Sequence, residues 1–275
     1  MSEPKDEAND RDIIQSIERG FAVLMAFDAD LPAPSLADLA AKTGLSRPAV
    51  RRILLTLQKL GYVASSGSRW SVTPRVLTIG QLYAATHDVP EVSHPHLLRL
   101  AELTHESASL SQLDGTDVVY VARVQVRRVL SVNVDVGSRL PAHATAMGRV
   151  LVAWADASVV EAVIAAGLPA LTPTTVTDPV RFRDELHEVR RQGFAVVDGE
   201  LEPGFLTAAT PVRDPSGNVV AALAHSTSRG RTDAQHVIDE VIPHLLEVAS
   251  AITRDLALVS TGRRALDAGA RDGFF

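Results

Sequence analysis

The sequence contains no cysteine, few aromatic residues and no long apolar run. The absence of cysteine from 275 residues excludes disulfide bonds, thiol nucleophiles and thiolate metal ligands. No segment approaches the ~20 consecutive apolar residues that a membrane-spanning helix needs. The polar start MSEPKDEANDRD does not resemble a signal peptide. We therefore expect a cytoplasmic protein that does not enter a membrane.

The common catalytic motifs are missing as well. The sequence contains no G-x-S-x-G, G-x-x-x-x-G-K-[ST], H-E-x-x-H or G-x-G-x-x-G. Without cysteines a zinc site would need histidines and carboxylates alone, and we find no such set by spacing. The sequence thus predicts no catalytic residue, no metal site and no cofactor. An enzyme with a regulatory head stays open as an alternative.

The net charge of -6 is distributed unevenly along the chain. Residues 11–75 carry nine Lys or Arg against five Asp or Glu, whereas the rest of the chain is acidic. The length suits two domains. A basic N-terminal module on an acidic body is typical of a DNA-binding head whose body does not adhere to the DNA backbone.

Residues 46–61, SRPAVRRILLTLQKLG, are predicted to form one helix with two chemically opposite faces. Ser46 can cap its start, Pro48 lies in the first turn, and Gly61 can end it. At about 100° per residue the apolar arc holds Val50, Ile53, Leu54, Leu57 and Leu60. The opposite arc holds Arg47, Arg51, Arg52 and Lys59. The helix therefore packs on one side and presents cations on the other.

A shorter helix precedes this basic helix and makes the pair a helix-turn-helix. Ser35 with Asp38 three residues later is a capping-box variant, and Gly44 can supply the left-handed residue of a tight turn. A hairpin at residues 62–72 follows and carries Arg69, as a wing would. A first helix at residues 16–27 is expected to close the core with Ile17, Phe21, Leu24 and Met25. We place a disordered tail at residues 1–11 and the head at residues 12–72.

Residues 73–90 are predicted to be a linker containing an apolar helix. Thr73 is its cap and Pro74 its first residue, and the pattern runs to about Thr86 before it breaks at residues 87–90. A helix this apolar needs a partner, which is either its own copy in a dimer or the second domain. We favour the dimer, because helix-turn-helix dimers read two half-sites of a roughly palindromic operator.

Residues 91–260 read as an α+β domain, an antiparallel sheet covered by helices. Strands are predicted at residues 108–113, 118–125, 129–134, 194–197, 207–212 and 219–226, and helices near 97–103 and at 146–153, 157–166, 182–191 and 232–258. The tail from residue 261 is expected to be loose. The run GSRLPAHATAMGR at residues 137–149 is a loop that feeds a helix near Ala146. Either it receives an anion at the helix start or it is only a structural connection.

Four segments together resemble the IclR family of bacterial transcriptional regulators, over essentially residues 13–260. They are SIERGFAVLMAF, SLADLAAKTGLSRPAVRRILLTLQKLGYV, VGSRLPAHATAMGRVLVA and FLTAATPVRDPSGNVVAALAHS. The run SVNVDVGSRLPAHATAMGRVL most resembles the branch that controls aromatic-acid catabolism through protocatechuate and the β-ketoadipate pathway. The resemblance implies a winged helix-turn-helix, a linker helix used in dimerisation, giving a homodimer or a dimer of dimers, and a GAF-like domain that binds a small organic acid.

The resemblance also implies which residues bind. The effector would meet Ala146, Met147, Thr207, Ala224 and Ser226. Asn133, Arg139 and His143 are further candidates for an aromatic carboxylate, although Arg139 can equally belong to a structural ion pair. DNA contacts are expected from Ser46, Arg47, Ala49 and Arg51 at the helix start and, to phosphate, from Arg52, Lys59 and Arg69. A sensor or interaction protein that does not bind DNA remains the alternative.

Overall fold

The computed structural model describes residues 13–28, 31–126 and 134–271, with the backbone alone for Ala84, Ala85 and residues 260–271. The chain divides into two compact units, Met1–Thr86 and His87–Phe275. The expected tail at residues 1–11 lies outside the described residues. Within those that are described, no helix has both the length and the apolar character needed to cross a membrane.

The first unit is a winged helix-turn-helix followed by one more helix. Its elements are α1 (Gln15–Leu24), α2 (Leu36–Thr43), α3 (Arg47–Lys59), β1 (Val63–Ser66), β2 (Arg69–Val72), a 3-10 turn (Pro74–Val76) and α4 (Leu77–Thr86). Strands β1 and β2 pair antiparallel and form the wing. The small core consists of Val23, Leu39, Val50, Leu54 and Val63, all 2% exposed or less. The predicted winged helix-turn-helix is therefore confirmed.

The boundaries of α2 and α3 follow from the capping signals in the sequence. The Ser35 hydroxyl accepts from the Asp38 N–H, and the Asp38 carboxylate accepts from the Ser35 N–H at 2.8 Å, which completes the capping box. Gly44 ends α2 with a φ of 68°, a left-handed conformation that side chains with a Cβ rarely adopt. The Ser46 hydroxyl then caps α3 by accepting from the Ala49 N–H.

Helix α1 buries a different face from the one expected. Ile17, Phe21 and Met25 were assigned to the core, but they are 55%, 54% and 75% exposed. Val23 is the α1 residue that enters the core. The apolar stripe is real, but periodicity does not show what an apolar face packs against. Leu60, expected in the α3 core stripe, is likewise 50% exposed because the helix has ended by then.

The second unit contains a six-stranded antiparallel sheet in the order β5-β4-β3-β8-β7-β6, counted over the described residues. Its elements in chain order are α5 (Asp88–Thr104), β3 (Ser107–Asp114), β4 (Asp117–Val124), β5 (Arg139–Pro141), a 3-10 turn (Ala142–Ala144), α6 (Ala146–Trp154), α7 (Ala157–Ala165), α8 (Pro179–Gln192), β6 (Ala195–Asp198), β7 (Phe205–Arg213), β8 (Val219–Ser228), α9 (Ala234–His236), a π-helical turn (Val237–Val241) and α10 (Ile242–Arg271). The predicted α+β class is confirmed.

Two apolar clusters lie on the two faces of this sheet. One contains Ala222 and Ala224 of β8 together with residues of α6 and α8. The other contains Ala221 and Leu223 of β8 together with residues of α5 and α10. Because successive strand residues point to opposite faces, these clusters establish which half of each strand faces α6. The sequence alone left that choice open.

Several predicted boundaries differ from the structure. Helix α5 begins at Asp88, directly after His87, so Pro90 lies in its first turn, where a missing N–H leaves no helical bond unmade. Helix α10 continues to Arg271, through the first part of the tail expected to be loose, where Ala, Leu and Arg favour helix. The short strand β5 was not predicted. Of the strand expected at residues 129–134, residues 129–133 lie outside the described residues.

Candidate nucleic-acid interface and ligand cavity

The cationic side chains of α3 are exposed. Arg47, Arg51, Arg52 and Lys59 all lie at the surface of the first unit. In the part of the chain that the structure describes, none of the four forms an ion pair. Their charge is therefore available to an anionic partner.

Two of these cations share one flank of α3. At about 100° per residue, Arg47 and Arg51 are separated by about 40°. Gln58 lies on the same flank and donates to the Ser65 hydroxyl of the wing at 3.0 Å. Ala49 lies about 160° away from both arginines and is half-buried. The structure therefore does not bring Ala49 together with Arg47 and Arg51, as the predicted set of DNA contacts implied.

Arg69 has an internal role besides its exposure. Its guanidinium donates to the Asp38 carboxylate at 3.4 Å and to the Ala33 carbonyl at 3.3 Å. The Ser35 N–H and hydroxyl, and to a smaller extent Arg69, lower the pKa of Asp38. Arg69 thus ties the wing to the start of α2, and its guanidinium is not as free as those of α3.

An apolar groove runs along the opposite flank of α3, between α3 and α1. Its volume is about 600 Å³, and its lining includes Ala49 and Arg52. The apolar part of the lining includes Ile17, Phe21, Leu24, Ile53, Leu57 and Ile79. Three of the four α1 residues that were expected in the core, Ile17, Phe21 and Leu24, therefore line this groove.

A small cavity in the second unit lies under the start of α6. Its lining includes Tyr120, Leu140, Thr145, Met147, Phe205 and Thr207. Of the predicted effector residues, the structure brings Met147 and Thr207 to this cavity. The volume is about 10 Å³, close to the minimum that holds one water molecule. An aromatic acid therefore requires the lining side chains to move.

A close backbone contact positions α6 above the cavity. The Thr145 hydroxyl caps the helix by accepting from the Gly148 N–H at 3.1 Å. A Cβ built on Gly148 would lie 2.0 Å from the Ala142 carbonyl oxygen. Only glycine permits this approach between α6 and the 3-10 turn, so the turn and the helix start form one rigid rim.

Three other predicted effector residues lie elsewhere. Arg139 pairs with Asp114 and, at 3.3 Å, with Asp117, and it does not line the cavity. The structural ion pair that the sequence left open is the arrangement found. His143 is buried and bonds through Nε2 to the Pro169 carbonyl at 3.1 Å. Asn133 lies outside the described residues.

The last three predicted residues are near the cavity without lining it. Ala146 belongs to the apolar cluster that includes α6. Ser226 is directly opposite Thr207, and Ala224 is opposite Ala209, so these side chains share the face that packs on α6. Ala224 is completely buried.

The sequence did not single out Tyr120, the most polar large side chain of the cavity. Tyr120 is 1% exposed, and burial raises its pKa to about 12. The carbon at the centre of the Arg123 guanidinium lies 5.9 Å from the centroid of its ring. A lone tyrosine among the valines of β4 was the available signal, since a buried phenol needs a polar neighbour.

A network of buried charged side chains is centred on Arg149 of α6. Arg149 is 4% exposed, and its guanidinium lies 2.6 Å from carboxylate oxygens of both Glu185 and Glu200. Glu200 also accepts from the Val176 N–H at 2.9 Å. Within the described ranges, no group of three or more histidines and carboxylates is arranged to hold a metal ion.

The chain matches two family models. Residues 16–67 match the model described as the IclR helix-turn-helix domain. Residues 81–254 match the model described as the bacterial transcriptional regulator IclR C-terminal domain. Together the two models cover more than half of the chain.

Individual relatives are similar over nearly the whole chain. The Pca regulon regulatory protein of Pseudomonas putida is 41% identical, over 90% of this chain and 84% of its own. The p-hydroxybenzoate hydroxylase transcriptional activator of Acinetobacter baylyi is 34% identical, over 90% of this chain and 93% of its own. Among solved structures, an IclR homolog from Microbacterium hydrocarbonoxydans complexed with 4-hydroxybenzoate is similar at a TM-score of 0.78. It is 26% identical and covers 88% of this chain and 98% of its own.

Proposed function

Because this chain belongs to the IclR family of bacterial transcriptional regulators, we propose that it binds a roughly palindromic operator as a homodimer and responds to an aromatic acid. The observation that carries the proposal is the unpaired cationic flank of α3 in a winged helix-turn-helix. The names of two relatives connect them to the Pca regulon and to p-hydroxybenzoate hydroxylase, and one similar structure contains 4-hydroxybenzoate. We place the protein in the cytoplasm, where a bacterial regulator meets the chromosome.

In this proposal α3 enters the major groove. Arg47 and Arg51 are on one flank near the helix start, where a guanidinium can donate two hydrogen bonds to guanine. Arg52 and Lys59 contact phosphate, and so does the Ser46 hydroxyl. The main role of Arg69 is to hold the wing in place, and a phosphate contact is its second role.

A second copy of the chain is the occupant we propose for the groove between α1 and α3. The first unit exposes Phe21 and Met25 of α1 and Leu77 and Leu82 of α4, each by more than half. An apolar groove together with large exposed apolar side chains on one small unit marks a site of association. A palindromic operator needs two heads related by a twofold axis, and a self-complementary surface provides that symmetry.

The acid is proposed to bind under the start of α6, against Met147 and Thr207. Because the cavity is nearly closed, the acid selects an expanded arrangement of the lining, and the flexible Met147 side chain is suited to such a change. The acid can shift DNA binding only through its different affinities for the two arrangements. The Thr145 cap and the contact at Gly148 transmit the change to the 3-10 turn as one unit.

Selection from a random duplex library with the full chain would identify the operator and supply the DNA for titration. We expect log affinity to fall steeply with log salt concentration, since α3 displaces counterions from phosphates. A flat slope, or no enriched sequence, would overturn DNA binding and favour the interaction-protein alternative.

A thermal-shift screen tests the effector. Hydroxybenzoates, protocatechuate, β-ketoadipate and glyoxylate are compared, because a ligand that binds only the folded state raises the melting temperature. We expect an aromatic acid to stabilise the second unit and to change operator affinity. Stabilisation by none of the acids would contradict the effector assignment, and conversion of an acid into product would favour the enzyme alternative.

A further inference from the structure

Arg123 lies on the sheet face that packs on α6, at the end of β4. It is directly opposite Ser109 of β3, and Ser109 is opposite Ala224 of β8. Residues directly opposite each other point to the same face of a sheet. Ala224 belongs to the cluster that includes α6, so Arg123 points to the face that carries the cavity.

The Arg123 guanidinium packs against a residue that lines the cavity. The guanidinium carbon is 5.9 Å from the centre of the Tyr120 ring, and Tyr120 lines the cavity. The Nε atom is buried without a hydrogen-bond partner. In the described ranges, no carboxylate forms an ion pair with Arg123.

Three other arginines of the second unit are already paired. Arg139 pairs with Asp114 and Asp117, Arg149 with Glu185 and Glu200, and Arg231 with Glu106 at 2.6 Å. Burial lowers the pKa of Arg123, and Tyr120 and Asp135 partly oppose that effect. A half-buried cation without a bonded anion is unfavourable, so this position is prepared for an anion from outside the chain.

We propose that Arg123 binds the carboxylate of the effector, whose ring then packs against Tyr120 and Met147. This inference rests on the proposed aromatic-acid function and assigns the orientation of that ligand in the cavity. The Tyr120 hydroxyl is a second donor, since its pKa of about 12 keeps it protonated. The start of α6 has fewer free N–H groups for an anion than the sequence indicated, because the Gly148 N–H is already bonded to Thr145.

The test compares acids with their neutral amides on the full-length protein. Benzoate, 4-hydroxybenzoate and protocatechuate are titrated calorimetrically beside benzamide, 4-hydroxybenzamide and 3,4-dihydroxybenzamide. In Arg123→Gln we expect acid affinity to fall by about 10- to 100-fold while amide affinity changes little, so that the preference for the acid disappears. Arg123→Lys keeps the charge but loses the planar fork, and it should retain part of the preference.

The matched control is Arg139→Gln, which removes an arginine of the same domain that is paired with aspartates. It should keep both the acid affinity and the preference. Melting of each variant without ligand shows whether it is folded, and a folded Arg123→Lys keeps the test decisive where Arg123→Gln fails to fold. Unchanged acid affinity in either folded Arg123 variant would refute this assignment alone. A wild type that binds none of the acids would refute the aromatic-acid function and this assignment with it.

Discussion

The exposed cations of α3 and the paired arginines of the second unit have opposite surroundings. In the first unit, Arg47, Arg51 and Lys59 of α3 are exposed and form no ion pair with a described residue. In the second unit, Arg149 is buried between Glu185 and Glu200, and Arg231 pairs with Glu106. The sequence does not mark this difference, since both units draw on the same residue types.

The difference shows which of these cations are available to an anionic partner and which are used by the fold itself. A solvated cation on a helix gains little from pairing within the chain, so it remains free to replace counterions on DNA. A buried arginine is stable only with its carboxylates present. We therefore expect the first unit to respond mainly to salt and the second unit mainly to substitution of its internal pairs and to pH.

The largest expected effect is the loss of a buried pair in the second unit. Arg149→Met leaves Glu200, which is 7% exposed, without its cation. We expect the free energy of unfolding to fall by about 3–5 kcal/mol. The measurement is urea unfolding followed by fluorescence of Trp154, in a Trp70→Phe background that leaves one tryptophan in the second unit.

The control for that substitution is Arg181→Met. Arg181 pairs with Glu185 at 3.2 Å, but its side chain is 68% exposed, so the expected loss is below about 1 kcal/mol. Adding Glu200→Gln to Arg149→Met should restore part of the stability, because the unpaired buried charge is then gone. Equal losses for Arg149→Met and Arg181→Met would show that burial of an ion pair does not decide how much it stabilises the protein.

The next effect is the pH response of the second unit. His225 is 2% exposed with an unpartnered Nδ1, and burial lowers its pKa to about 4, with Glu106 opposing and Arg231 adding to that shift. Below pH 6.5 the His225 imidazole therefore binds a proton in the unfolded state but not in the folded state. The free energy of unfolding falls as the pH falls from 6.5 towards 4. The loss amounts to about 2 kcal/mol by pH 5 and about 3 kcal/mol by pH 4.

Removing the histidine isolates its contribution. In His225→Leu, unfolding free energies measured from pH 7 to pH 4 should lack this part of the slope, while all other titrating groups stay the same. A wild type and a variant with parallel pH profiles would show that His225 does not contribute.

A smaller effect is expected for the exposed cations of the first unit. Arg51→Ala should weaken operator binding by about 1–3 kcal/mol and relax the preference at one base pair. Lys59→Ala should weaken binding to all sequences alike and reduce the salt slope by about one. The measurement is fluorescence anisotropy on operator and mutated duplexes over a range of salt concentrations.

Arg191→Ala is the control for these variants, because Arg191 of α8 is an exposed arginine of the second unit and lies outside the proposed DNA contacts. It should leave both affinity and salt slope unchanged. Loss of affinity without any change in base preference in Arg51→Ala would move Arg51 to the phosphate contacts.

Local signals in the sequence predicted the elements of the first unit well. Ser35, Gly44 and Ser46 fix helix boundaries through groups that lie within four residues, so the sequence contains the whole cause. The face that α1 buries was predicted wrongly, because Phe21 belongs to an apolar stripe whose partner the pattern does not identify.

The ligand cavity was predicted only in part, because strand register decides it. Arg139 and Arg123 both belong to strands, and nothing nearby in the sequence tells them apart. The pairing of β5 with β4 brings Arg139 beside Asp117, whereas Arg123 is opposite Ser109. Register between strands depends on the whole sheet, so the sequence indicated Arg139 as a candidate and did not single out Arg123.

The smallest expected effect tests whether the first unit owes its stability to local capping rather than to ion pairs. Ser35→Ala removes half of the capping box of α2 and should lower the stability of the first unit by about 1 kcal/mol. Fluorescence of Trp70 in a Trp154→Phe background reports on that unit alone.

The control is Ser71→Ala, at an exposed position of β2, which should change stability by less than about 0.5 kcal/mol. Because Ser35 lies outside the proposed DNA contacts, the salt slope should stay that of the wild type, and a changed slope would mean that the cap also positions α3 on DNA.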